Sequence, residues 1–234
     1  GSTINATAVS SLLNTFSVNG YEAEPRSVTF NNDGTKMFVI GYAGDDVNEY
    51  TLSTGFDLSS TVTHVDTYNA SGDVSFPTGL TFNSDGTKMF ILDNAGNDVN
   101  EYTLSTGFDL SSTITLVKTL SVSSQENTPL GITFNNDGTK MFVSGDGGDI
   151  HEYTVSNGFD LTSTVTFIDT FSTVNEETFP TSVKFNTDGT TMFVTGVTSD
   201  SLIEYTLSSG FDVSTASFTD IYNITSDDNY PTSL

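Results

Sequence analysis

The chain has no cysteine, no tryptophan, five prolines, two histidines and only six basic residues among 234. Without cysteine, disulfides and thiolate metal sites are both excluded. Two histidines, His64 and His151, are too few for the clusters of His and carboxylate that propeller hydrolases and lyases gather around a metal or general base. There is also no Gly-x-Ser-x-Gly elbow and no phosphate loop. The expectation is a protein that is not an enzyme and carries no cofactor. No run of eighteen apolar residues occurs, so no helical membrane insertion is expected. Gly1-Ser2 reads as a cloning remnant, so the lack of a leader here has no bearing on secretion.

The scarcity of positive charge is the strongest compositional fact. Thirty acidic residues stand against Arg26, Lys36, Lys88, Lys118, Lys140 and Lys184, a formal net charge of −24. Such a surface repels phosphate backbones and anionic membranes, which argues against nucleic acid as a partner. Cations, basic partners or a salty medium suit it better. Abundant Thr, Ser, Asn and Asp with little Lys points to an extracellular setting.

What the chain does have is a repeat. Asp33-Gly34-Thr35 recurs as Asp85-Gly86-Thr87, Asp137-Gly138-Thr139 and Asp188-Gly189-Thr190, at spacings of 52, 52 and 51 residues. A period in this range, in a chain rich in strand formers, marks a radial array in which each unit is one small sheet. The unit opening at Pro25 illustrates it. Arg26 to Asn31 runs into the Asp-Gly-Thr turn, Lys36 to Ile40 returns, and Val47 to Leu52 makes a third strand. Ser53-Thr54-Gly55-Phe56-Asp57-Leu58-Ser59 then crosses to a fourth at His64 to Tyr68. The fold class is therefore all-β, a β-propeller of four-stranded antiparallel blades. The expected organisation is one domain, 1–234, with blades 25–76, 77–128, 129–179 and 180–230 and partial repeats 1–24 and 231–234. Twelve of the eighteen phenylalanines fall at three repeat positions, as in Phe30, Phe38 and Phe56, and read as core stripes.

The stretch Phe82-Asn83-Ser84-Asp85-Gly86-Thr87-Lys88-Met89-Phe90-Ile91 resembles the strand-turn-strand opening of YVTN-like and NHL-type propeller repeats. The likeness spans nearly the whole chain. It implies the propeller fold and a secreted bacterial surface or phage virion setting, and it leaves activity open, because such propellers host binding modules, scaffolds and some enzymes. Where that family has Pro before Asp-Gly, this chain has Asn32, Ser84, Asn136 and Thr187, which leaves the turn to the glycine.

The ends do not close simply. Leu12 to Ser17 aligns with Leu116 to Ser121, so the chain is expected to start with a spare fourth strand. Pro231 to Leu234 aligns with Pro180 to Val183. A homo-oligomer formed by terminal strand exchange or ring completion would satisfy these edges.

Loops at one end of the blades are nearly identical, and loops at the other end all differ. Function sits on loops carried by a rigid scaffold, so a protein or glycan partner is expected at the variable acidic end. The candidate contact residues there are Asp45, Asp46, Asp73, Asp93, Asp98, Glu126, Asp146, Asp149, Glu176, Glu177, Asp200, Asp227 and Asp228. The alternative is a multivalent lectin-like propeller with one glycan site per blade at the uniform loops. Calcium is the one cation for which loops such as Asp93 to Asp98 offer oxygens, although none fits the EF-hand pattern. The repeated Glu49, Glu101, Glu152 and Glu204 on the third strands read as partners in inter-strand or inter-blade hydrogen bonds.

Overall fold

The computed structural model describes residues 12–225, 228 and 230–234. Four antiparallel sheets of four strands each make an all-β structure of the β-propeller type. Blade 1 comprises β1 (Pro25–Phe30), β2 (Lys36–Gly41), β3 (Asp46–Leu52) and β4 (Val62–Asn69). Blade 2 comprises β5 (Pro77–Phe82), β6 (Lys88–Asp93), β7 (Asp98–Leu104) and β8 (Ile114–Ser121). Blade 3 follows with β9 (Pro129–Phe134), β10 (Lys140–Gly145), β11 (Asp149–Val155) and β12 (Val165–Ser172). Blade 4 closes the series with β13 (Pro180–Phe185), β14 (Thr191–Gly196), β15 (Ser201–Leu207) and β16 (Ala216–Asn223). The chain divides into two compact units, residues 12–122 with blades 1 and 2 and residues 123–234 with blades 3 and 4.

Strand composition decides which strands are central. The second strands read Lys-Met-Phe-Val-Ile-Gly or close to it and are buried on both faces. The fourth strands alternate more and less exposed positions, as a sheet edge does when one face is wet. The Asp-Gly-Thr turn is held by more than its glycine. Gly34 has φ 72, the Asp33 carboxylate accepts both the Thr35 N–H and hydroxyl, and the Asn31 side chain accepts the Lys36 N–H at 2.9 Å. These bonds hold the turn without a proline, and the Thr N–H to Asp bond recurs in all four blades.

The recurrent Thr-Gly-Phe-Asp-Leu loop contains a reversal of the usual roles. Phenylalanine, not glycine, takes the left-handed conformation, at φ 58, 54, 56 and 58 for Phe56, Phe108, Phe159 and Phe211, a choice that costs roughly 1–2 kcal/mol per residue. The preceding glycine is required for approach: a Cβ at Gly55 would overlap the Asp33 carbonyl. Each ring lies over the turn glycine of its own blade, and its N–H donates to that glycine's carbonyl, as Phe56 does to Gly34 at 3.0 Å. These four phenylalanines are lids over turns rather than fully buried core residues.

Blades stack by two repeated contacts. In the first unit Phe38 packs on Phe82 and Phe108 of the next blade at ring separations of 4.7 and 6.1 Å. In the second unit Phe142 does the same with Phe185 and Phe211 at 4.5 and 6.5 Å. Alongside runs an ionic lock. Buried Glu49 on β3 meets Lys36 at 2.6 Å and accepts the Leu110 N–H of blade 2 at 2.8 Å, while Lys36 also donates to the Phe108 carbonyl. Glu152, Lys140, Val213 and Phe211 repeat the arrangement between blades 3 and 4. The expected inter-blade role of the third-strand glutamates is thus observed at both places.

The spare N-terminal strand is not observed among the described residues: residues 12–17 form no ladder. The alignment that suggested it nevertheless places Phe16 correctly. Phe16 meets Tyr50 edge-on at 5.8 Å, as Tyr68 meets Tyr102 at 5.7 Å and Phe171 meets Tyr205 at 5.1 Å. The segment supplies the aromatic cover that a fourth strand gives the next blade's tyrosine, without the backbone pairing.

Replacing Lys36 with Ala leaves Glu49 buried beside fewer donors. Because the lysine is itself partly exposed, the expected loss is about 2–3 kcal/mol, somewhat below that for a fully buried pair. Urea unfolding should register it as a lower midpoint, and a loss under about 0.5 kcal/mol would contradict the lock.

Candidate functional site

The variable end of each blade joins two loops, one between the second and third strands and one leading into the first strand. A buried carboxylate ties them together. In blade 4 Glu177 accepts the Phe179 N–H at 2.7 Å, the Thr198 N–H at 3.2 Å, and the Ser199 N–H and hydroxyl at 3.0 and 2.8 Å. In blade 1 Glu22 accepts the Glu24 and Ala43 N–H groups at 2.6 and 3.2 Å. In blade 3 Glu126 accepts the Thr128 N–H at 2.8 Å and stands 3.6 Å from the His151 ring, whose other nitrogen meets the Thr170 hydroxyl.

Blade 2 builds the same staple from the opposite side. The position three residues before the blade's opening proline is Glu22, Glu126 and Glu177 elsewhere, and here it is Val74. The last residue of the second strand is Gly41, Gly145 and Gly196 elsewhere, and here it is Asp93. Asp93 accepts the Phe76 N–H at 2.8 Å and the Ala95 N–H at 3.2 Å, with further contacts to the Ser75 and Gly96 N–H groups. Glu24, Phe76, Thr128 and Phe179 each immediately precede the opening proline, so one carboxylate oxygen serves the same backbone group in every blade. The swap is steric. A Cβ at Gly41, Gly145 or Gly196 would overlap the facing glutamate, so a side chain at one position requires the other to withdraw its own.

Among the thirteen sequence candidates, Asp93, Glu126 and Glu177 are buried, and the contact role expected of them is corrected to loop anchoring. Burial pushes the Glu177 carboxyl up, and its hydrogen bonds from Ser199, Phe179 and Thr198 outweigh that and hold it below the ordinary 4.5. Its contribution to stability is therefore complete above that ordinary value and is lost as pH falls through the lowered one. Asp73 and Glu176 lie at the loop surface and accept the hydroxyls of Tyr102 and Tyr205 at 3.3 and 3.2 Å. Asp46 and Asp98 orient Asn48 and Asn100 at 2.6 Å. Asp45 and Asp200 take the left-handed conformation at φ 50 and 46. Asp146 and Asp228 are exposed and Asp149 is half-buried, while Asp227 lies outside the described residues.

The first unit concentrates charge at this end. Burial and then the neighbouring Asp93 and Asp46 charges raise the Asp45 carboxyl above its ordinary value. Burial also raises Asp46 and Asp98, each partly relieved by its asparagine. Beside them is an aromatic group that the repeat pattern did not signal, because it has no counterpart in the other blades. Exposed Tyr42 packs on Phe76 at 4.4 Å, with the Arg26 guanidinium over the other ring at 5.7 Å.

Two further features bear on chemistry. A cleft of about 210 Å³ in the first unit, toward the uniform loops, is lined by Glu49, Thr51, Val65, Asp66, Asp109 and Ser111. Val65 is the extra residue of a β-bulge, since Glu49 pairs with Asp66 and Tyr50 with His64. His64 is stacked on Tyr21 at 3.5 Å and bonded to Asn48 and Thr67, so the two histidines sit in unrelated settings. Among the described residues, no three His, Cys, Asp or Glu side chains gather as metal ligands.

No family model matches the chain, and no curated protein matches it. Solved structures do match in fold. A functionally unknown protein from Desulfotomaculum acetoxidans gives a TM-score of 0.54 at 15% identity, covering 86% of this chain and 62% of that one. A protein from Lactobacillus plantarum gives 0.57 at 17%, covering 85% and 55%. A protein from Bacteroides uniformis named "putative 6-phosphogluconolactonase" gives 0.57 at 13%, covering 86% and 55%. The chain spans about half to three-fifths of the length of these structures. At such identities the likeness carries the propeller fold alone.

The staple predicts a double-mutant cycle in blade 3. Gly145→Asp alone should clash with Glu126, and Glu126→Val alone should leave the Thr128 N–H unpaired, each costing about 1–3 kcal/mol. The double variant reproduces blade 2 and should recover at least half of the summed loss in urea unfolding. Simple additivity would contradict the reciprocal arrangement.

Proposed function

We propose that this chain is a non-enzymatic binding or structural module that engages a partner through the acidic loops at the variable end of its blades. The observation that carries this reading is the carboxylate staple: it fixes loops of differing sequence onto an identical base, which preorganises them for contact. Net charge and the raised Asp45, Asp46 and Asp98 carboxyls favour a partner bearing positive charge, with Tyr42 as an aromatic contact within the same end of the first unit. An extracellular or virion-surface setting, implied by the resemblance of the repeats to secreted YVTN-like propellers, belongs to the same proposal. No cofactor forms part of it.

A second reading, a glycan site at the uniform loops, is favoured by one observation. The 210 Å³ cleft offers carboxylates and hydroxyls beside a Thr-Gly-Phe-Asp-Leu loop. Its positions recur in the second unit as Glu152, Thr154, Ile168, Asp169, Asp212 and Ser214, whereas blade 2 has Lys118 where the acid would be.

The readings separate on one experiment. Candidate partners, a basic protein set and a glycan array, are presented to the wild type and to a variant carrying Asp45→Asn, Asp73→Asn and Asp146→Asn. The proposal expects a basic protein ligand whose affinity falls roughly tenfold or more in the variant and with added salt. Binding should also weaken as pH falls toward the carboxylate range, because raised carboxyls take up protons earlier and the end loses negative charge. Glycan binding unchanged by the three substitutions would favour the cleft instead. Hydrolysis of 6-phosphogluconolactone would overturn the non-enzymatic reading.

A further inference from the structure

A glycine that follows Asp or Asn can attack the preceding side-chain carbonyl through its main-chain nitrogen, because it has no Cβ to hinder the approach. The repeat places such a pair in every blade, as Asp33-Gly34, Asp85-Gly86, Asp137-Gly138 and Asp188-Gly189. In all four the nitrogen is already engaged. The Gly34, Gly86, Gly138 and Gly189 N–H groups donate to the Asn31, Asn83, Asn135 and Asn186 carbonyls at 3.1 Å. The acid is engaged as well: hydrogen bonds from Thr35 hold the Asp33 carboxyl below its ordinary value, and Thr87, Thr139 and Thr190 do the same for Asp85, Asp137 and Asp188. An ionised carboxylate is a poor electrophile. Asp146-Gly147, outside these turns, has its glycine N–H on the Thr178 carbonyl at 3.3 Å.

Blade 3 adds a pair that is not guarded in this way. In the loop that crosses to its fourth strand, Asn157-Gly158 stands where the other blades have Thr54-Gly55, Thr106-Gly107 and Ser209-Gly210. Asn157 and Gly158 are both exposed. The Asn157 main chain is bonded, its N–H donating to Ser163 Oγ at 3.2 Å and its carbonyl accepting the Asp160 N–H at 3.0 Å. Its side-chain amide and the Gly158 N–H have no partner among the described residues. A larger residue after the asparagine would hinder the attack, and here none fits, since a Cβ at Gly158 would overlap the Asp137 carbonyl. The packing that demands glycine leaves residue 157 as the place where the reaction is prevented, and threonine or serine prevents it in blades 1, 2 and 4.

We propose that Asn157 is a site of non-enzymatic covalent modification, at which the side-chain amide is exchanged for a carboxylate by water. A base in solution removes the Gly158 N–H proton and the nitrogen attacks Asn157 Cγ. The Cγ–Nδ2 bond breaks, the departing nitrogen takes up a proton and leaves as ammonia, and a succinimide closes. Water then opens the ring. Addition at Cγ gives aspartate, and addition at the main-chain carbonyl carbon gives isoaspartate, in which the backbone runs through Cβ and Cγ. Both products add negative charge to a chain that already carries −24. They differ in the backbone, because isoaspartate lengthens it by one methylene beside Gly158. That insertion falls next to the Phe159 N–H bond to the Gly138 carbonyl at 3.1 Å and the Phe159 ring over Gly138. It displaces the lid of one turn and leaves the other three in place. Asn19-Gly20, also exposed and with no partner for the Gly20 N–H among the described residues, is open to the same chemistry away from the lids.

Peptide mapping by mass spectrometry, on the chain held at mildly alkaline pH both folded and in denaturant, tests this. The expected result in the folded protein is conversion of Asn157, faster as pH rises, with aspartate and isoaspartate both present. At each pair the rate in denaturant is divided by the rate in the folded protein. This ratio should be larger at the four Asp-Gly turns than at Asn157 by roughly tenfold or more, since each turn must open before its glycine N–H is released. Asn157→Thr, which places the residue of blades 1 and 2 there, should abolish the change at that site. Aged Asn157→Thr should then keep its unfolding midpoint where aged wild type loses part of its own. Fresh Asn157→Asp, which adds the charge without lengthening the backbone, should unfold with fresh wild type. An Asn157 that converts in denaturant and stays intact in the folded protein would overturn the proposal. So would a ratio at Asn157 equal to that of the turns.

Discussion

One buried carboxylate on the third strand governs how this protein is put together. Glu49 and Glu152 each lie under the surface, balanced by a lysine of their own blade and by a backbone N–H from the next. A charge in that position is tolerable only while both partners are present. The demand propagates: the N–H belongs to the Thr-Gly-Phe-Asp-Leu loop, so the loop must hold its phenylalanine in the left-handed conformation and its ring over the turn glycine. The repeated turn, loop and strand are three parts of one electrostatic arrangement, which explains why they vary so little between repeats. Blade 4, with Thr191 in place of the lysine, keeps its glutamate half-exposed, as that reasoning requires.

At the opposite end a second carboxylate has a different consequence. Glu22, Asp93 and Glu177 each collect backbone N–H groups from two loops, and Glu126 takes the Thr128 N–H and stands beside the His151 ring. Because the anchors bond mainly to main chain, with the Ser199 hydroxyl on Glu177 and the His151 ring beside Glu126 as the side-chain contacts, they place little restriction on the side chains that the loops carry outward. Constant geometry and free sequence are then compatible, and this combination is what a binding surface on a repeat scaffold requires.

Much of the architecture was legible in the sequence. The phase of the Asp-Gly-Thr turn and the runs of β-branched and aromatic residues placed the four blades and the sixteen strands of the described residues, because local propensity and repeat period agree at nearly every position. Less visible were features that depend on contacts across the repeat. A Gly-Phe pair suggests that the glycine takes the positive φ, yet close approach to the Asp33 carbonyl claims Gly55 and leaves the strain to Phe56. Asp93, Glu126 and Glu177 look like surface acids when read singly. Only the reciprocal pairing of Val74 with Asp93, against Glu with Gly elsewhere, reveals that one buried oxygen is being supplied from two alternative positions. Residues 12–17 match a fourth strand in sequence and keep its aromatic contact through Phe16, but no ladder accompanies it.

Amide hydrogen exchange at three equivalent positions reaches the central claim directly. The Leu110 and Val213 N–H groups are bound by Glu49 and Glu152, whereas the Leu58 N–H, at the equivalent position of the blade 1 loop, is half-exposed and meets no glutamate among the described residues. In dilute protein, Leu110 and Val213 are expected to exchange more slowly than Leu58 by about two orders of magnitude or more. Equal exchange at all three would mean that the buried glutamate does not hold one blade to the next.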